Sequence, residues 1–203
     1  MTQVDAETRV SDQLEGWLRG DGPRTLGSLI ELFGEKSFAV IFVLLLAVPA
    51  LPLPTAGATH VFEAIAMLVA VQLIVGRRTI WLPARWRRRS LAGMAEGRFA
   101  RTLLRQMRRA ERFSRPRLSR LMGHRLLGVV FGAIVLGLSL TAFLAPPFSG
   151  LDTLPALGVV VLSLGVLFED AVLAAAGAIL GALGVVLVVG LGSLLARWVG
   201  NLV

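Results

Sequence analysis

Residues 126–151 and 171–196 form two runs of 26 residues without a single charged side chain. A helix rises 1.5 Å per residue and satisfies its own backbone, so about 20 apolar residues cross ~30 Å of hydrocarbon. Both runs are long enough. Composition supports the same reading: only 17% of the 203 residues are charged and 55% are hydrophobic. A soluble globule carries about 25% charged residues to cover its surface. The expectation is an all-α, multi-pass integral membrane protein. Residues 1–36 are polar and carry acids where the apolar core of a signal peptide would stand. The later apolar segments are therefore expected to do the targeting.

Three further apolar stretches are short or interrupted: residues 38–54, 64–76 and 153–168. Pro49, Pro52 and Pro54 break the first, and Pro146 and Pro147 end the 126–151 run. Proline removes a backbone donor and clashes with the preceding turn. In lipid, the freed carbonyls must find partners inside protein or beside a wet cavity. Broken or re-entrant helices are expected here. The two places also resemble each other: "LLLAVPALPLPTAGAT" is echoed by "LTAFLAPPFSGLDT", and a short apolar segment follows each. Paired broken segments are the trace of a protein built from two related halves, with an inverted repeat as one form and the site between them.

Charge divides the chain. Of its 21 Lys and Arg, 16 fall in residues 77–125 against two acids, Glu96 and Glu111, giving that window a net +14. Residues 1–36 hold seven acids and four bases. Four parts follow: N-terminal surface helices (1–36), a first membrane half (37–76), a basic connector (77–125) and a second membrane half (126–203). In the connector, "RFARTLLRQMRRAER" places apolar residues at helical spacing among six arginines. An amphipathic helix lying flat in the headgroup layer is expected, with Arg77, Arg78, Arg88, Arg105 and Arg109 on anionic lipid. Positive charge stays inside, so the connector is expected to be cytoplasmic. So many arginines also suit nucleic acid, but no nucleic-acid motif accompanies them, and no nucleic-acid partner is expected. In the N-terminal part, Leu26, Leu29, Ile30 and Phe33 recur at helical spacing between Thr25 and Gly34.

Little here suits catalysis. There is no cysteine, and His60 and His124 stand 64 residues apart. No enzyme, metal or cofactor is expected. Acids near apolar segments carry more weight, because a charge in the bilayer is costly and faces a cavity or a partner. Pro49, Pro52, Glu63, Gln72, Pro146, Asp152 and Asp170 are the expected lining of a cavity between the halves. The alternative is that the acids stand at helix ends in headgroup water and that Gln72 bonds helix to helix. Gly128 with Gly132, and Gly177 with Gly181, are small-residue pairs that let helices approach closely. They serve packing within the chain or a homodimer, and the sequence leaves both open.

The chain resembles the ExoD family of bacterial exopolysaccharide-synthesis proteins. The resemblance covers about residues 26–183. It rests on "LGSLIELFGEKSFAVIFVLLLAVPALPLP", "QLIVGRRTIWLPARWRRRSL", "ERFSRPRLSRL" and "APPFSGLDTLPALGVVVLSLGVLFEDAVL". The most specific part runs from Gln72 through Gly76, Arg77, Arg78, Trp81, Leu82 and Pro83. Glu111, Arg112, Pro116 and Arg117 add to it. The chain departs from the family pattern at Ala50, at "SGLD" (149–152) and at "FEDA" (168–171), where polar residues are expected. The resemblance implies a role in exopolysaccharide production at the inner membrane and no assigned reaction. Movement of a small solute, an ion or a lipid-linked species between the halves is the expected activity. A membrane scaffold for polysaccharide-synthesis proteins is the alternative.

Overall fold

The computed structural model describes residues 10–20, 22–51, 59–91, 98–113, 125–146 and 149–200. The described residues are helical and include no strand; Thr25 and Ser90 form an isolated antiparallel bridge. The elements are α1 (Val10–Arg19), α2 (Leu26–Phe33), a short 3-10 turn (Gly34–Lys36), α3 (Ser37–Leu46) and α4 (Thr59–Ile74). After these come α5 (Ala84–Arg87), α6 (Arg98–Phe113), α7 (Arg125–Leu144), α8 (Thr153–Leu167) and α9 (Ala171–Gly200). Two stretches, Arg125–Leu144 and Ala171–Ser193, are long and apolar enough to cross a membrane. Their outer faces stay uncovered: Leu126, Ile179, Val186 and Val189 are each more than 60% exposed. A soluble core helix would bury such residues, and a continuous bare apolar face marks contact with lipid or a partner. Membrane association follows from these faces.

The other apolar helices are shorter than these two. At 1.5 Å per residue, the 10, 16 and 15 residues of α3, α4 and α8 reach about 15, 24 and 23 Å. α3 is wrapped almost entirely by protein, with Phe38 to Val43 and Leu46 all buried. It lies along α8, while α4 lies along α7 and α9 along α8. Phe42 of α3 meets Phe131 of α7 edge-on, with ring centroids 5.6 Å apart.

The helix ends sort into two groups. The start of α3, the end of α4, the start of α7 and the end of α8 gather at one end of the bundle, where their residues line a common cleft. The starts of α4 and α8 meet at the opposite end, through Thr59 and Asp152. Both hairpins, α3–α4 and α7–α8, therefore open on the same face. An inverted pair would open on opposite faces, so any relation between the halves is a parallel one.

Among the described residues, α1 packs against α6 and α2 against α5. Ser11 donates its backbone N–H to Glu111 Oε1 at 2.9 Å, and Arg108 pairs with Asp12 and Glu15. Leu14 and Met107 are both buried in the core. Leu91 N–H donates to the Arg24 carbonyl, Leu26 N–H to that of Arg89, and Arg87 pairs with Glu31 at 2.6 Å. The acids of the N-terminal part thus neutralise part of the basic connector. Met107 of α6 is buried in the same core cluster as Leu14 of α1, while Arg101, Arg105 and Arg109 remain exposed.

Both small-residue pairs are engaged within the chain. Gly132 faces Ala70 and Ile74, and Gly128 faces Leu73, all on α4. Gly177 lies against Val161 and Leu162, and Gly181 against Gly158 and Leu138. A Cβ added at Gly158, Gly165 or Gly177 would fall on neighbouring backbone closer than any Cβ can stand. Apolar side chains gain nothing from burial against helices when the alternative is lipid, so this intimacy supplies the attraction. Gly158→Leu should overpack the α8–α9 seam, costing about 1–3 kcal/mol, and lower the melting temperature of the detergent-purified protein. Gly190→Leu, where nothing stands within 4 Å, should leave it unchanged.

Candidate functional site

The starts of α4 and α8 and the end of α7 come together. Thr59, His60 and Glu63 lie within one turn, and i to i+3 and i to i+4 spacing puts all three on one face. Glu63 has no exposed surface, although it lies one turn inside an apolar helix. Its Oε2 is 2.8 Å from His60 Nδ1, which donates to it when protonated. Its Oε1 has no hydrogen-bond partner among the described residues. Thr59, 3% exposed, donates from Oγ1 to Asp152 Oδ2 at 3.4 Å. Asp152 precedes α8 in a helical backbone conformation and makes no cap bond, so its carboxylate is available to the neighbouring hairpin. The His60 ring rests against Phe143 near the end of α7, 5.3 Å between centroids. Three helices therefore converge on one carboxyl–imidazole pair with a second carboxylate beside it. Such a group can hold and pass a proton, and its unpartnered oxygen can accept a bond from a polar guest.

The turns next to the cluster keep their backbone groups bonded. Ala50 N–H donates to Leu46 O and Leu51 N–H to Val48 O, around a fully buried Pro49. The Pro146 carbonyl accepts from the Ser149 hydroxyl at 2.6 Å and from its N–H at 3.2 Å. Pro52, Pro54 and Pro147 lie outside the described residues.

The family model described as "Exopolysaccharide synthesis, ExoD" matches residues 10–190, from α1 through most of α9. The chain belongs to the ExoD family. An uncharacterised protein of Synechocystis sp. is 28% identical over 184 residues, covering 89% of this chain and 86% of that protein. Protein ExoD of Rhizobium meliloti is 28% identical over 177 residues, 85% of this chain and 73% of that one. No solved structure matches. The match to the ExoD model includes every residue of the cluster and both hairpins.

Two residues expected in the same cavity lie elsewhere in this ExoD-family chain. Gln72 is at the far end of α4, where its Oε1 accepts from Trp81 N–H at 2.8 Å and so holds the start of the connector. Asp170 is buried at the start of α9, accepting from the N–H groups of Val172 at 2.8 Å and Leu173 at 3.1 Å. That is the geometry of a helix N-cap. An aspartate directly before a long apolar run carries this signal in the sequence itself. Arg77, Arg78, Arg88, Arg105 and Arg109 are all exposed. His60 belongs to the cluster although, with His124 64 residues along the chain, the sequence gives it no metal-ligand spacing. Its spacing of three from Glu63 was the available signal.

Asp170→Asn should lower the melting temperature less than Asp170→Ala, since asparagine caps as well as aspartate. Asp170→Ala should cost about 1 kcal/mol, read as a lowered melting temperature.

Proposed function

We propose that this ExoD-family protein crosses the bacterial inner membrane several times and takes part in exopolysaccharide synthesis by moving a small solute, an ion or a lipid-linked species past the His60–Glu63 pair. Family membership supports the polysaccharide role. The buried Glu63, bonded to His60 with one oxygen unpartnered where two broken hairpins meet, carries the transport reading. A carboxyl group is retained in an apolar bundle where it faces a partner or a pathway. The basic connector layer faces the cytoplasm in this proposal, because positive charge stays inside.

Related halves fit the same picture. α4 ends with Arg77 N–H bonded to Gln72 O and Gly76 N–H to Leu73 O; Gly76 has a φ of 90°. α8 ends with Asp170 N–H bonded to Gly165 O and Glu169 N–H to Val166 O; Glu169 has a φ of 58°. Both are Schellman turns, closing the returning helix of each hairpin in the same way. A parallel two-fold relation would exchange the α3–α8 contact with the α7–α4 contact, in accord with the packing.

A scaffold role is the second reading, favoured by the exposed row Arg101, Arg105 and Arg109 on the connector layer. The two are separated in a strain lacking its native copy. Glu63→Gln and His60→Gln should each cut exopolysaccharide output at least tenfold while the protein's amount and membrane insertion hold. Normal output from both variants would remove the transport reading and leave the scaffold.

A further inference from the structure

At the opposite end of the bundle from the His60–Glu63 pair, a cleft of about 720 Å³ opens among the ends of α3, α4, α7 and α8. Its walls are apolar: Phe33, Phe38, Leu73, Leu127, Phe131 and Val166. Its rim is cationic, with Lys36, Arg77, Arg78 and Arg125 against Glu35 and Glu169. Lys36 pairs with Glu169 at 2.8 Å and Arg78 with Glu35 at 3.9 Å. Arg77 and Arg125 are left with no carboxylate partner among the described residues.

Arg125 is placed by the backbone. Its Nη2 donates to the Val75 carbonyl at 3.4 Å, and its guanidinium lies over Gly76. A Cβ at Gly76 would come within 2.9 Å of Arg125 Nε, and the φ of 90° there is one that L side chains rarely adopt. Glycine at this position answers the Schellman turn that ends α4, and the arginine lies over it.

The two halves of the cleft ask for different parts of one ligand. Guanidinium groups present paired donors that match a phosphate. Apolar walls match hydrocarbon, and the volume is in the range of small-molecule sites, about 300–1,000 Å³. A free anion would leave the walls unused, and a neutral lipid would leave the arginines unused. We infer that this cleft binds a phosphate-bearing lipid, its phosphate on Arg77 and Arg125 and its chain between α4, α7 and α8. The inference rests on the membrane reading above but not on transport, because it is scored by binding alone and uses none of the residues around Glu63.

Native mass spectrometry of the detergent-purified chain tests it, with farnesyl phosphate, farnesol and inorganic phosphate as probes. Farnesyl phosphate should bind one per chain, at least tenfold more tightly than either of the others. The double variant Arg77→Gln/Arg125→Gln should weaken it at least tenfold. Arg101→Gln/Arg105→Gln, on the exposed face of α6, should leave it unchanged. If the double variant does not fold, Arg77→Gln alone should weaken farnesyl phosphate at least threefold at an unchanged melting temperature. Equal binding of inorganic phosphate would make this a free-anion site, and equal binding of farnesol a greasy slot. Either result, or undiminished binding by the arginine variants, overturns the inference.

Discussion

Glu63 lies one turn inside an apolar helix with no exposed surface, and the carboxyl group there must be solvated by protein. His60, one turn back on the same helix, supplies the bond to one oxygen. Contacts to other helices set which face of α4 points inward: Thr59 reaches Asp152 at the start of α8 and the His60 ring reaches Phe143 of α7. Polar groups at helix ends in hydrocarbon need such partners, since each unbonded backbone or side-chain polar group there costs several kcal/mol. His60 and the Thr59–Asp152 contact supply them where lipid would offer none.

The other end of the bundle answers the same constraint by different means. There, helix ends are closed by backbone turns, and charge is admitted because the ends lie at the connector layer. Lys36 ties the start of α3 to Glu169 at the end of α8. Glu169 holds a left-handed conformation that a non-glycine residue adopts at a cost of about 1–2 kcal/mol, which the ion pair and the turn offset. α1 and α2 lend acids to the arginines of the connector, so the layer is less basic than the connector sequence alone. Between the two ends, glycines on α7, α8 and α9 let backbones touch, and the apolar faces left over are turned outward.

Much of this was legible wherever one element carries its own signal. Thr25 and Gly34 bracket α2 as its spacing predicts, with the side chains of Thr25 and Ser28 completing a capping box. α6 begins at Arg98, and the charge-free runs become α7 and α9. α3 is a helix of only 10 residues that ends ahead of Pro49. What could not be read was pairing. An amphipathic pattern shows that α6 has an apolar side, but not that Met107 on it is buried in one core cluster with Leu14 of α1. Gly177 and Gly181 mark a close contact without naming α8 as the partner. Asp170 and Glu63 look alike beside apolar runs, yet one caps a helix and the other lies buried beside a histidine. The difference depends on whether the acid comes before the first helical residue or one turn after it.

The candidate site depends on the starts of α4 and α8 meeting within one chain. The protein has no cysteine of its own, so paired substitutions report without background. Thr59→Cys with Asp152→Cys, oxidised in native membranes, should form a disulfide inside a single chain. A monomer of faster gel mobility that reverts on reduction is the expected result, with each single variant unshifted. A double variant that stays unshifted, or links only into dimers, would contradict the meeting of the hairpins and the site built on it.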